Sequence, residues 1–169
     1  MATQPSLDKA YLDIAKRWAQ LSAAKRKKVG CIIVKNGSII ADGYNGTPSG
    51  FDNNCETCRP ISDHQMAVDD EGGLVEGTYE LITKPEVLHA ESNAITKLAK
   101  STQSSDGATM YITISPCVDC AKLIIQAGIK RVVFRELYKD DRCGTNLLSE
   151  AGIEVEDAGL RMSNSDYVY

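Results

Sequence analysis

Residues 106–134 read "DGATMYITISPCVDCAKLIIQAGIKRVVF". Ala108–Ser115 are rich in β-branched and aromatic residues and read as a strand. Cys117–Ala127 read as a helix, with Gly128 as its stop. Arg131–Phe134 turn to strand again. A helix of this length between two strands implies a parallel crossover unit, so an α/β sheet covered by helices is the expected fold.

Upstream, Ala90, Ala94, Ile95, Leu98 and Ala99 share one face of a helix that starts at His89-Ala90-Glu91. Further back, "VGCIIV" (29–34) and "SIIADGY" (38–44) flank Asn36-Gly37, the preferred two-residue hairpin turn. Leu7, Ala10, Tyr11, Ile14, Ala15, Trp18 and Leu21 mark a first helix, with Ser6 as its expected N-cap. Downstream, "NLLSEAG" (146–152) reads as a short helix and "IEVEDA" (153–158) as a last strand or edge. The segment at about 52–88 has turn chemistry and acidic, glycine-rich stretches without periodicity, and reads as a functional loop or insertion. The expectation is a single domain over 1–169 with that insertion: a three-layer α/β/α sandwich around a mixed sheet of about five strands.

The chain is 43% hydrophobic and 25% charged, ordinary for a globular protein. Its net charge of −4 offers no global positive field to hold a polynucleotide, so no nucleic-acid partner is expected. "KRKK" at 25–28 is the one dense basic cluster; it reads either as a solvated helix end or as the holder of a small anion. No apolar run approaches the roughly 18 residues a membrane helix needs. "MATQPSLDKAYLDIAKRW" lacks the charged-then-apolar order of a signal peptide. A cytoplasmic protein without a membrane partner is expected, and its six cysteines then favour reduced thiols and metal ligands over a disulfide framework.

His89 and Glu91 lie at the start of one helix, Cys117 and Cys120 at the start of the next. Both helices follow chain that crosses the same sheet, so their N-termini can meet at one sheet edge. One imidazole and two thiolates suit Zn²⁺ and leave a fourth tetrahedral position open, as in catalytic sites. Helix N-termini also favour thiolate over thiol. Glu91, two residues from a ligand, is placed to act as a base without ligating the metal. The competing readings are a surface His-Glu pair and a C-x-x-C that is a redox pair or half of a structural zinc site.

"HAE" followed by "PCVDC" is the H-x-E…P-C-x-x-C signature of zinc-dependent nucleobase deaminases. With "VGCIIV", "GYNGTPSGFDNNCE", "HAESNAI", "DGATMYITISPC" and "CAKLIIQAGIKRVVF", the chain resembles the deoxycytidylate (dCMP) deaminases of phage and bacterial type. Only the segment at about 56–86 and the C-terminal tail fall outside the resemblance. It implies hydrolytic deamination of dCMP to dUMP and ammonia, supplying dUMP for dTTP synthesis. His89, Cys117 and Cys120 would hold one catalytic zinc, and Glu91 would move the protons. The resemblance further implies that Asn45 holds the deoxyribose 3′-hydroxyl and that Arg26 meets the 5′-phosphate. Ser115 with Pro116 would receive the exocyclic amine through the backbone, and Tyr138 would lie near the nucleotide. It also implies a homohexamer activated by dCTP with Mg²⁺ and inhibited by dTTP. The loop containing Gly43, Tyr44, Asn45, Gly46 and Gly50 would contribute to that effector site.

Cys55, Cys58 and His64 form C-x₂-C-x₅-H, which with one further ligand would suit a second, structural zinc; the alternative is two reduced cysteines on a loop. Three other functions stand beside dCMP deamination. One is a deaminase of another free cytosine nucleotide, dCTP or both. Another is a tRNA or polynucleotide deaminase, which would want a basic, aromatic-lined groove. The last is a zinc-stabilised interaction module in which Glu91 is incidental.

Overall fold

The computed structural model describes residues 2–61, 68–75, 77–139 and 141–159. Along the chain it runs α1 (Gln4–Ala19), β1 (Gly30–Lys35), β2 (Ser38–Tyr44), β3 (Glu56–Pro60) and β4 (Tyr79–Thr83). It continues with α2 (Ala90–Leu98), β5 (Thr109–Ile114), α3 (Val118–Gln126), β6 (Arg131–Glu136), α4 (Cys143–Glu150) and β7 (Glu154–Asp157). Five strands form a mixed sheet in the order β2-β1-β5-β6-β7. β1 is antiparallel to both β2 and β5, whereas β5, β6 and β7 run parallel. The hairpin between β1 and β2 turns on Asn36 and Gly37, both at positive φ (52° and 76°), as a type I′ turn requires. No described helix is long and apolar enough to cross a membrane.

Successive strand residues point to opposite faces, and both faces of this sheet are covered. Ile32, Val34, Tyr111 and Val133 pack against Leu12 and Ala15 of α1. Cys31, Ile33, Met110, Ile112 and Val132 pack on the other side, against Ala90 and Ala94 of α2, Ala121 and Ile124 of α3 and Leu148 of α4. The α/β/α sandwich is thus one helix deep on one side and three on the other.

Three details differ from the sequence reading. Thr3, not Ser6, is the N-cap of α1, with Pro5 in the first turn, where a missing N–H is harmless. The buried face of α1 is rotated: Asp8, Leu12, Ala15 and Ala19 face inward, while Leu7 and Leu21 are exposed. The segment between β2 and α2 is not wholly irregular, because β3 and β4 pair as a separate antiparallel hairpin. Apart from buried Glu56 at its start, that hairpin is half-buried or exposed along its length, so the apolar alternation that usually marks a strand is weak there.

Asp8 faces inward because it is fully partnered. Arg131 donates Nη1 to Oδ1 and Nη2 to Oδ2, each at 2.8 Å. Tyr111 Oη and Gln4 Nε2 also donate to Oδ1, each at 2.8 Å. Arg131 reaches Glu154 and Glu156 as well, tying α1 to three parallel strands. Burial acts to raise the Asp8 pKa, but the bonds from Arg131, Gln4 and Tyr111 outweigh it and hold the group below its ordinary value.

Two glycines set how closely helices approach the site. A Cβ on Gly43 of β2 would lie 2.1 Å from the Ala90 carbonyl oxygen, so only glycine lets the start of α2 rest there. A Cβ on Gly144 of α4 would lie 2.0 Å from the Pro116 carbonyl oxygen, which seats α4 against the turn before α3.

Gly43→Ala should therefore lift the first turn of α2 and lower stability by about 1–3 kcal/mol, as overpacking does. Gly46→Ala, where a Cβ meets nothing within 4 Å, should change stability by less than about 0.5 kcal/mol. Urea unfolding of the two variants checks the contrast. Since folded Asp8 titrates below a free aspartate, its stabilisation is in place above about pH 4 and is lost as pH falls through the lowered value. Asp8→Asn should cost about 3 kcal/mol at pH 7 and flatten the acid side of the stability profile, measured by unfolding between pH 7 and pH 3.

Candidate active site

His89 is the N-cap of α2 and Cys117 the N-cap of α3. Both turn towards each other across the ends of the strands. His89 Nδ1 lies 3.5 Å from Cys117 Sγ and 3.4 Å from Cys120 Sγ. Zn–N of about 2.0–2.1 Å and Zn–S of about 2.3 Å at a tetrahedral angle place N and S about 3.5 Å apart. The donor set and its spacing therefore fit zinc. All three ligand atoms fall within 4.8 Å of one another, the one such His/Cys/Asp/Glu group among the described residues. His89 is exposed, Cys117 half-buried and Cys120 buried, so the triad opens to one side.

The electrostatics follow from this packing. Hydrogen bonds from Cys120 and His89 pull the Cys117 thiol down to about 4, so it is a ready thiolate. The same pair interaction, with burial, pushes Cys120 up. The bond to Cys117 raises the His89 imidazole. Glu91, in the first turn of α2, is only 4% exposed, and burial raises its carboxyl above the ordinary glutamate value.

A cleft of about 270 Å³ runs from this triad to the loop before β1. It gathers His89, Glu91 and Cys117 with Arg26, Asn45, Ser115 and Tyr138. Arg26 donates Nη1 to Thr83 Oγ1 at 3.2 Å, holding the guanidinium over the cleft wall. Asn45 is busy with the main chain: Oδ1 accepts from Val29 N at 2.8 Å, and Nδ2 donates to Lys27 O at 2.9 Å. Ser115 is buried, and its Oγ accepts from Tyr138 N at 2.9 Å, which fixes the exposed tyrosine at the rim. The basic cluster singled out in the sequence brings Lys27 into the cleft beside Arg26, while Glu56, Thr83 and Lys139, which also line it, were missed. Lys139 stands beside Tyr138, so local charge could have signalled it. Glu56 and Thr83 are brought in only by the pairing of β3 with β4.

The remaining candidates have other surroundings. Gly43 is buried beneath α2 and serves packing. Gly46 exchanges both main-chain hydrogen bonds with Leu88, at 3.1 and 2.9 Å, so its amide is already spoken for. The Tyr44 carbonyl accepts from Asn93 Nδ2 at 2.9 Å. Cys55, just before β3, is buried, and Cys58, on β3, is half-buried; no third ligand joins them among the described residues, and His64 lies outside those residues.

A mixed α/β sandwich with His, Cys and Cys at two facing helix starts and a buried glutamate beside them is the arrangement expected of the zinc-binding nucleobase-deaminase class. Residues 5–136 match the model of the cytidine and deoxycytidylate deaminase zinc-binding region, and the chain belongs to that family. It is 39% identical over 166 residues to the deoxycytidylate deaminase of Enterobacteria phage T4, covering 85% of this chain and 86% of the phage protein. It is 37% identical over 136 residues to that of Mycobacterium phage D29, covering 78% of this chain and 96% of the relative. The dCMP deaminase of cyanophage S-TIM5, solved in complex with dCMP and dUMP, aligns with a TM-score of 0.74 and 43% identity. That alignment covers 92% of this chain and 99% of the cyanophage one, and confirms the cytidine deaminase-like fold.

Cys117→Ser should lower bound zinc from about one per chain to near zero after dialysis against a weak chelator, because two ligands do not retain the ion. Metal analysis by plasma emission, with circular dichroism as a folding control, measures it.

Proposed function

We propose that this chain deaminates dCMP hydrolytically, taking water and releasing dUMP and ammonia. The observation that carries the reading is one cleft lined by His89 and Cys117 of the metal-ligand triad and by buried Glu91, together with the cations Arg26, Lys27 and Lys139. A pyrimidine base suits the ligand triad and Glu91, and a phosphate suits the cations. The names of the phage relatives, and the dCMP and dUMP held by the cyanophage protein, support the same substrate.

Zinc, when bound, supplies Lewis-acid activation of a water near neutral pH. Glu91 takes a proton from the attacking water and delivers it to N3 of the cytosine ring as the C4–O bond forms. The same carboxyl then passes the second proton to the exocyclic nitrogen as the C4–N bond breaks, and ammonia departs. Burial favours this role, since a carboxyl held away from bulk water keeps the proton it has taken. Tyr138, fixed by Ser115, closes the rim beside the nucleotide. Arg26, tethered by Thr83, and neighbouring Lys27 meet the 5′-phosphate.

Regulation belongs to the same proposal. The enzyme works as a homohexamer in which dCTP with Mg²⁺ activates and dTTP inhibits, the loop from Gly43 to Gly50 contributing to the effector site. The resemblance to dCMP deaminases is the support for this. Flat response of the dCMP saturation curve to both triphosphates, with a monomer by light scattering, would overturn it.

The direct test is zinc-loaded protein offered dCMP, dCTP, deoxycytidine and cytidine separately, with ammonia release as readout. Turnover of dCMP, and little of either nucleoside, is expected. Turnover of dCTP would move the assignment to a dual-specificity deaminase. Glu91→Gln should lower kcat by about 10³-fold while zinc stays bound, which separates an enzyme from a zinc-stabilised binding module.

A further inference from the structure

The three cations of the cleft do not meet a ligand on equal terms. Arg26 donates to Thr83, a neutral partner. Lys139 Nζ lies over the Tyr138 ring, 5.3 Å from its centroid, and has no carboxylate partner among the described residues. Lys27 is the paired one: its Nζ donates to Glu136 Oε2 at 3.2 Å.

Glu136 is held by the sheet rather than by that pair. It ends β6 opposite Ile114 of β5, and its carbonyl accepts from Ser115 N at 2.8 Å. Ile114 and Ser115 line the cleft, as do Leu137, Tyr138 and Lys139, the three residues that follow Glu136. Both partners of the ion pair are exposed, and such a pair contributes little to stability. Its consequence is the field it sets for a charged ligand. Glu56 is a second carboxylate beside the same cations: it is buried and accepts from the main-chain N–H groups of Lys25 at 2.9 Å and Arg26 at 3.1 Å. Glu91 and the metal ligands apart, the cations thus outnumber the carboxylates by one.

A nucleoside monophosphate carries about two negative charges at pH 7, and a triphosphate about four. Coulomb energy scales with the charge of the ligand. Each unit of positive charge withheld from the cleft therefore costs a triphosphate about twice what it costs a monophosphate. Resting on the dCMP reading, we propose that Glu136 is a specificity-determining residue. By pairing with Lys27 and adding its own charge beside the cleft, it keeps the positive surplus at a level that serves a monophosphate and disfavours a triphosphate. It acts on the choice of phosphate chain through the field and touches no reacting atom.

The test measures kcat/KM on dCMP and on dCTP, run separately, for zinc-loaded wild type, Glu136→Gln, Glu136→Asp and Glu136→Lys. Ion-exchange chromatography separates the products dUMP and dUTP, and activation by dCTP is common to all four proteins. Glu136→Gln should raise kcat/KM about 3-fold on dCMP and about 10-fold on dCTP, the logarithm doubling with the ligand charge. Glu136→Lys, a change of two charges, should raise the dCTP value about 100-fold. Glu136→Asp keeps the charge and should keep the wild-type ratio. At about 1 M KCl the gains should shrink towards one, because screening acts within a few ångströms there. A merely structural role would move both nucleotides by the same factor and would not respond to salt. Equal factors for the two nucleotides in Glu136→Gln would overturn the inference, as would an Asp variant that behaves like Gln, or no gain on dCTP in Glu136→Lys. A thermal melt checks folding, and the near-isosteric Gln variant decides the matter if Lys is not tolerated. Absence of dCMP turnover by wild type would instead overturn the dCMP reading, and this inference with it.

Discussion

The convergence of two helix N-termini over the ends of β2, β1 and β5 is the constraint on which this molecule turns. His89 and Cys117 occupy cap positions whose side chains ordinarily satisfy their own helix; here both are spent on each other and on Cys120. That leaves the first-turn amides and the positive ends of both helices directed at the region where thiolates gather, which favours their ionised form. The convergence is possible only because α2 lies against β2 at Gly43 and α4 presses on the Pro116 carbonyl at Gly144.

The cleft joins two kinds of lining. Glu91, Ile114 and Ala90 contribute buried groups. Arg26 and Lys27 before β1 and Lys139 after β6 contribute exposed cations on loops. On a chain of net charge −4, those cations also make the cleft a local exception to the prevailing sign.

Much of this was legible in the sequence for local reasons. The Asn36-Gly37 turn, the helix starts at His89 and Cys117 and the strands flanking them all depend on residues a few positions apart. So does the ligand set, because C-x-x-C at a helix start and a histidine at the preceding helix start need only the crossover topology to meet. What escaped the reading depends on distant partners. Asp8 interrupts the apolar face of α1 and is buried because Arg131, 123 positions away, comes to meet it. Glu56 has its donors in the main chain of Lys25 and Arg26, about thirty positions back, and no periodicity marks such a contact. The hairpin of β3 and β4 escaped because it lies outside the two apolar layers that give the other strands their pattern.

The split between core-mounted ligands and loop-mounted binding groups bears on how such a chain can change over generations. His89, Glu91, Cys117 and Cys120 stand on helices whose seats tolerate no added atom at Gly43 or Gly144, so drift there endangers the fold itself. Arg26, Thr83 and Lys139 stand on segments outside the packed layers, where substitution disturbs the core less. The reaction is thus inherited as a fixed unit, while the choice of molecule on which it is performed stays open to revision.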